Sequence, residues 1–282
     1  GGKRVIMESI TGLKNNEKKS LFNLGVREKT ILSILAFGFF FIAILIWGSF
    51  INADNLYVDL PNKFQTPSLS HLFGTDWVGR DMLTRTIKGL SLSMKIGLLA
   101  TLTSTIIAII LGIIGPTFGR RVDAVVTWFI DLVLSVPHTL VVILISIAMG
   151  GGLKGIVVGV AATHWTSLTR VIRAEVMQIM ESDYTKISKN FGKSNWYIAK
   201  EHILPHVIPQ IIVNAVLIFP HAILHEASVT FLGFGLPPHE PAIGVILSES
   251  MKYLTSGYWW LAFFPGLSLI LVSMMVDKIG KN

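Results

Sequence analysis

His221 and His225 stand four residues apart in the apolar stretch 207–234, and Glu226 follows at once. A spacing of four puts both imidazoles on one face of a helix. Neutral imidazoles with a carboxylate are a donor set that suits nickel, cobalt or zinc, so His221 and His225 are candidate ligands for a transiently held metal ion. The plainer alternative is that these residues line or pack a wet interior, because the pair lacks a demonstrated third ligand.

The remaining ionisable residues divide in the same way. Asp131 lies inside an apolar run, where a central carboxylate costs about 2.5–3.5 kcal/mol on insertion; it must face protein or lie near the membrane surface. His164 precedes Trp165 and reads either as pathway lining or as interfacial packing. His239 and Glu240 belong to a Pro-rich loop, either solvated or in contact with another protein, and Asp76, Arg80 and Asp81 read as an ion-paired elbow. Nothing resembles a nucleophile with its base, so no catalytic residue is assigned. The chain has no cysteine, which removes disulfides and thiolate metal sites. It also has no G-x-x-x-x-G-K-S/T phosphate loop, so it is not itself the ATPase of any ATP-driven process.

Placing these residues falls to long apolar blocks. The 282 residues are 51% hydrophobic and only 15% charged, and the apolar residues are concentrated rather than scattered. Blocks at 30–53, 96–119, 132–153 and 253–276 reach the roughly 20 residues that a helix needs to cross a hydrocarbon slab about 30 Å thick. The segment 155–169 is shorter but has apolar flanks, and 207–234 carries Glu226 as its one residue of the charged types. The expected fold is therefore all-α, a polytopic membrane protein with six transmembrane helices. The first block is too long for a signal peptide and lacks a small-residue cleavage site, so it reads as an anchored helix. Gly1-Gly2-Lys3-Arg4 lacks an initiator Met, reads as an expression remnant, and is set aside. Residues 1–29 form a polar, basic tail and 30–282 one membrane domain, with no internal repeat.

The net charge of +7 is distributed by position. Six spans with a cytoplasmic amino end place four segments inside. These carry seven Lys or Arg in the amino tail, two at 119–123, six at 170–206 and two at the carboxyl end, 17 of the 24 in the chain. That bias predicts both termini in the cytoplasm, and points to lipid rather than nucleic acid as the partner of the basic charge.

The long inside segment has its own pattern. Tyr184, Ile187 and Phe191 fall on one face of a helix, Gly192 suits a left-handed cap, Ser194 suits the start of the next helix, and Pro205 is expected to end or kink it. Two short helices joined at a glycine make a knob that either fits a groove on a partner protein or lies on lipid headgroups.

Gly192 followed by Ile203-Leu204-Pro205 resembles the glycine and the I-L-P of the "EAA" loop in permease subunits of bacterial ATP-binding cassette importers. "GTDWVGRD" (Gly74, Asp76, Gly79, Arg80, Asp81) with Arg85 resembles the signature of the C-type permeases for dipeptides, oligopeptides and nickel. Asp131 with Pro137, "HEASVTFLGFGLPP" and "WWLAFFPGLSL" resemble further runs of that family, and together these cover most of residues 73–269. Two departures stand out: Lys186-Ile187-Ser188 replaces the Glu-Ala-Ala of the loop, and the chain stops at Asn282, short of the family's usual tail.

The resemblance implies a permease in the cytoplasmic membrane of a bacterium, paired with a second permease subunit as a heterodimer. It also implies nucleotide-binding ATPase subunits and an extracytoplasmic solute-binding protein. ATP and Mg would sit on the ATPase partner, with no cofactor on this chain. Tyr184, Ile187, Phe191, Gly192, Ile203, Leu204 and Pro205 would form the coupling element. Some nickel permeases resemble this sequence in having a histidine at the place of His225, where the family usually carries a small residue. Nickel, a metal chelate and di- or oligopeptides are thus the implied substrates. A stand-alone channel or secondary transporter, with Asp131, Glu226 and His225 as an ion relay, is the alternative from outside the family; a membrane anchor without transport is a third.

Overall fold

The computed structural model describes residues 26–51 and 58–281. The expected amino tail therefore lies outside the described residues except for its last four positions. Among the described residues the regular structure is helical: α1 (Val26–Phe50), α2 (Met82–Thr117), α3 (Arg120–Leu134), α4 (His138–Ala148), α5 (Gly152–Met180), α6 (Asp183–Asn190), α7 (Asn195–Ile198), α8 (Leu204–Phe231), α9 (Ile243–Leu254) and α10 (Trp260–Lys281).

Three helical stretches are long and apolar enough to cross a membrane, at Met82–Thr117, Asn195–Phe231 and Trp260–Gly280. Two of the expected straight spans take another form. The block at 132–153 is not one helix: α3 and α4 meet at a bend of 92°. Pro137 explains it, since proline lacks the N–H for the helix ladder and pushes the residue before it out of helical conformation. Together the two helices are apolar enough for a broken span or a re-entrant loop. The block at 253–276 is likewise divided, because α9 ends at Leu254 and α10 begins only at Trp260. Gly257, at φ +91°, turns the chain between them. Pro205 does not end a helix either. The helical stretch Asn195–Phe231 runs on through it, with a π turn at Ala199–Ile203 just before the proline, a local adjustment of the kind by which membrane helices accommodate a missing N–H.

α2 is the spine. Its buried small residues let two neighbours approach closely, the packing that membrane helices use: a Cβ on Gly112 would stand 2.7 Å from Ile172 of α5, and one on Gly97 would stand 2.6 Å from Ile223 of α8. α4 seats on α5 in the same way through Gly155 and Gly159. A Cβ on Gly159 would stand 2.9 Å from the Val142 carbonyl oxygen, and one on Gly155 would stand 2.8 Å from that of Ser146. Ser146 Oγ donates to the Phe234 carbonyl at 2.7 Å, tying α4 to the loop after α8. The outer surface of α1 is apolar, with Phe39, Trp47 and Phe50 more than half exposed. Such a surface requires lipid or protein against it.

Candidate functional site

Three helices bring their histidines to one place. His138 opens α4 immediately after the Pro137 bend, His164 lies midway along α5, and His225 faces them from α8. Ring centroids are 4.5 Å apart for His138–His164, 4.3 Å for His138–His225 and 5.2 Å for His164–His225. One ring nitrogen from each lies within 4.8 Å of the others. Nδ1 of His164 is 3.0 Å from the Val160 carbonyl. A carbonyl only accepts, so Nδ1 carries the proton and Nε2 keeps its lone pair. Nδ1 of His138 is buried without a hydrogen-bond partner.

The arrangement differs from the one expected from spacing alone. His225 is in the cluster, whereas His221 is exposed one turn earlier on α8. Glu226 points elsewhere: it is fully buried, accepts from Thr230 Oγ1 at 3.0 Å through Oε1, and leaves Oε2 buried without a partner. Asp131 pairs with Arg170 at 2.8 Å, both side chains being more than half exposed. The exposed His239 and part-buried Glu240 stay in the loop between α8 and α9. Sequence reasoning missed His138. The available signal was its place directly after a proline in an apolar block, where an imidazole is costly unless it has a task.

The second feature is the knob. α6 is closed off by Gly192, two residues past its end, whose φ of +77° is the left-handed conformation expected of a cap, and the Lys193 N–H closes back on the Ser188 carbonyl at 3.1 Å. Ser194 Oγ then accepts from the Tyr197 N–H at 3.2 Å, starting α7. Ser188 Oγ and His202 Nε2, 2.9 Å apart, tie the two arms together. Tyr184, Ile187 and Phe191 are 45%, 53% and 80% exposed, and Trp196 is 68% exposed. Ile203 is completely buried with Ile172, Val176 and Val207. It anchors the knob from below; Leu204 is part-buried and Pro205 exposed. Lys186, at the place of the loop's acidic residue, pairs with Glu181 at 3.1 Å in an exposed contact, worth little in water.

The elbow before α2 is built around Asp76, which is fully buried. It accepts from Arg80 Nε at 2.7 Å and from Arg85 Nη1 at 2.8 Å, and both guanidinium groups lie over the Trp77 ring. Asp81 is not in that pair. It caps α2 by accepting from the Thr84 N–H at 2.9 Å and meets His71 at 3.0 Å. Gly74 and Gly79 adopt positive φ at the turns that bring Asp76 inward.

These features have counterparts in known proteins. Residues 104–281 match the family described as binding-protein-dependent transport system inner membrane component. The dipeptide transport system permease protein DppC of Bacillus subtilis is 35% identical over 77% of this chain and 68% of its own length. DppC of Alkalihalophilus pseudofirmus is 34% identical over 86% of this chain and 80% of its own. Among solved structures, the inward-facing MetNI methionine ABC transporter aligns with TM-score 0.59 over 71% of this chain and 94% of its own, at 14% identity. An amino acid ABC transporter crystallised with histidines gives TM-score 0.55 over 71% and 92%, at 15% identity. At such identities these two show a common fold. The chain is a multi-pass, non-catalytic membrane component of an ATP-binding cassette importer, and it belongs to the binding-protein-dependent transport system inner membrane component family.

Proposed function

We propose that the chain forms half of a substrate pathway across the bacterial cytoplasmic membrane and is driven through its knob by a separate ATPase subunit. In this reading six spans cross the membrane, α1, α2, the bent α3–α4 pair, α5, α8 and α10, with both termini and the knob in the cytoplasm. A second permease subunit completes the pathway, an extracytoplasmic binding protein delivers the substrate, and ATP with Mg stays on the ATPase partner.

The observation that carries the proposal is the exposed apolar face of the knob. Tyr184, Ile187, Phe191 and Trp196 stand out from an element whose root, Ile198 and Ile203, is fully buried. A rigidly rooted handle with an uncovered apolar face fits a groove in a partner. Closure of that partner on ATP shifts the bundle only if the contact differs in free energy between two states of the permease. Family membership leaves the stand-alone channel without support.

Two substrate classes remain, each with its own observation. The names of the relatives favour di- or oligopeptides. The three-histidine cluster favours nickel or a metal chelate. Reconstitution tests the common part: uptake into vesicles containing the chain and its second permease is expected only when the ATPase subunit, the binding protein and ATP are all supplied. Uptake by the permeases alone would overturn it.

A further inference from the structure

We infer that His138, His164 and His225 form a transient coordination site for a late first-row divalent cation, nickel, cobalt or zinc, as cargo on the route through the bundle. The inference rests on the permease reading above and commits it to one substrate class.

Three properties point to a ligand rather than to packing. The first is supply: three separate helices each deliver one imidazole, and one nitrogen of each falls within 4.8 Å of the others. A tetrahedral ion with bonds of about 2.0–2.1 Å needs its nitrogens about 3.4 Å apart, so side-chain rotation over roughly an ångström closes the set. The second is the tautomer. The Val160 carbonyl holds the proton of His164 on Nδ1, which leaves Nε2 as a donor to a metal, the arrangement that outer-shell partners impose on ligating histidines. The third is the bare Nδ1 of His138, buried without a partner. Left so, a buried polar atom costs about 1–3 kcal/mol, and a metal ion or its bound water satisfies it.

The composition of the set also selects. Three neutral imidazoles with no carboxylate among them suit borderline cations and reject magnesium and calcium, which demand oxygen ligands. They leave the charge of the ion uncompensated, which keeps binding weak enough for release, as any conducting site requires. With three protein ligands the ion retains at least one further position, for water or for a small chelator. His221, exposed one turn earlier on α8, offers the next imidazole along the same helix face.

The test uses the assembled transporter in lipid nanodiscs, with affinity tags that contain no histidine. Binding of radiolabelled nickel is measured with the aquo-ion and with nickel in excess free histidine, and the X-ray absorption spectrum of the loaded wild-type complex is recorded. The expected result is one nickel per chain in at least one of the two arms, with imidazole scattering from three histidines. His138→Gln, His164→Gln and His225→Gln are each expected to weaken binding by about tenfold or more, the triple variant to abolish it, and His206→Gln to leave it unchanged. Binding as the aquo-ion identifies the free cation as cargo, and binding only with added histidine identifies a chelate. Unaltered binding in the triple variant, or no nickel on the wild type in either arm, overturns the inference. The wild-type spectrum requires no substitution, so it tests the site even where a variant misfolds. ATP-dependent peptide uptake by a complex that binds no nickel would remove the metal site and leave the permease reading standing; absence of any ATP-dependent uptake would remove that reading instead.

Discussion

Arg85 and Glu249, 164 positions apart in the sequence, meet at 2.8 Å, while the other arm of the same guanidinium holds the fully buried Asp76. One side chain thus joins the elbow, the start of α2 and the middle of α9. Arginine suits the task because its planar fork reaches two carboxylates at once, which a lysine ammonium on a flexible stem does not do in a fixed geometry. Removing one member of a buried ion pair costs about 3–5 kcal/mol where it strands the other charge; Arg80 still holds Asp76 when Arg85 is lost, so the loss here falls toward the low end of that range. Arg85→Met is therefore expected to lower the thermal stability of the purified protein sharply. Arg85→Lys should restore only part of it, and Glu249→Gln, at a partly exposed carboxylate, should cost less than Asp76→Asn. Equal stability of Arg85→Met and wild type would show that the network holds nothing together.

For the knob, Ile187→Asp with Phe191→Asp places two charges on a face that the proposal buries in the ATPase subunit. Both side chains are exposed in the isolated chain, so folding and membrane insertion should be unaffected. ATP hydrolysis by the assembled complex is expected to lose its stimulation by loaded binding protein, and uptake to fall by about tenfold or more, since one desolvated charge already costs several kcal/mol. Gly192→Val should act in the same direction through the backbone, because a β-branched residue resists φ of +77°. Full transport by these variants would place the knob on lipid.

Gly159 lies against the main chain of Val142 with no room for a side chain. Gly159→Leu must move α4 off α5, and overpacking of this kind costs about 1–3 kcal/mol. Because α4 carries His138 and α5 carries His164, the same change should separate those two rings. Loss of thermal stability with Gly159→Leu, and a smaller loss with Gly159→Ala, is the expected order. Unfolding temperatures that do not differ among the three proteins would show that α4 is not seated there.

What the sequence made legible follows the range of the interactions. Gly192, Ser194 and the stripe of Tyr184, Ile187 and Phe191 depend on neighbours within a turn or two, and the cap and the face are both present. The ion pair of Asp76 with Arg80 was legible in the signature, but the rest of the network was not. Arg85 finds Glu249 through tertiary contact alone, and Asp81 is drawn off to cap α2. The histidines show the same limit. The spacing of His221 and His225 gave a shared helix face correctly, yet the ligand set is decided by which helices touch. His138 reaches His225 only because Pro137 breaks the helix between α3 and α4 and Gly159 lets α4 sit on α5. Both breaks, at 135–137 and 255–259, lie within runs that hydropathy reads as continuous, since averaged apolarity is blind to a proline or glycine that redirects the backbone.

The topology can be tested with unusual economy because the chain contains no cysteine, so any single introduced cysteine is unique and wild-type protein is its own blank. Lys193→Cys in the knob and Arg121→Cys at the start of α3 stand at exposed positions on the side assigned to the cytoplasm. Lys154→Cys at the start of α5 and Thr255→Cys after α9 stand at exposed positions on the side the proposal assigns to the exterior. In intact cells a membrane-impermeant maleimide is expected to label positions 154 and 255 and to spare 121 and 193. Inside-out vesicles should reverse the pattern. The assignment is a strict one: the α3–α4 pair must cross as a single bent span for 121 and 154 to lie on opposite faces. Labelling of both from the same side would mean that the 92° bend returns the chain to the surface it came from. The bundle would then have one crossing fewer, and the carboxyl end would lie outside.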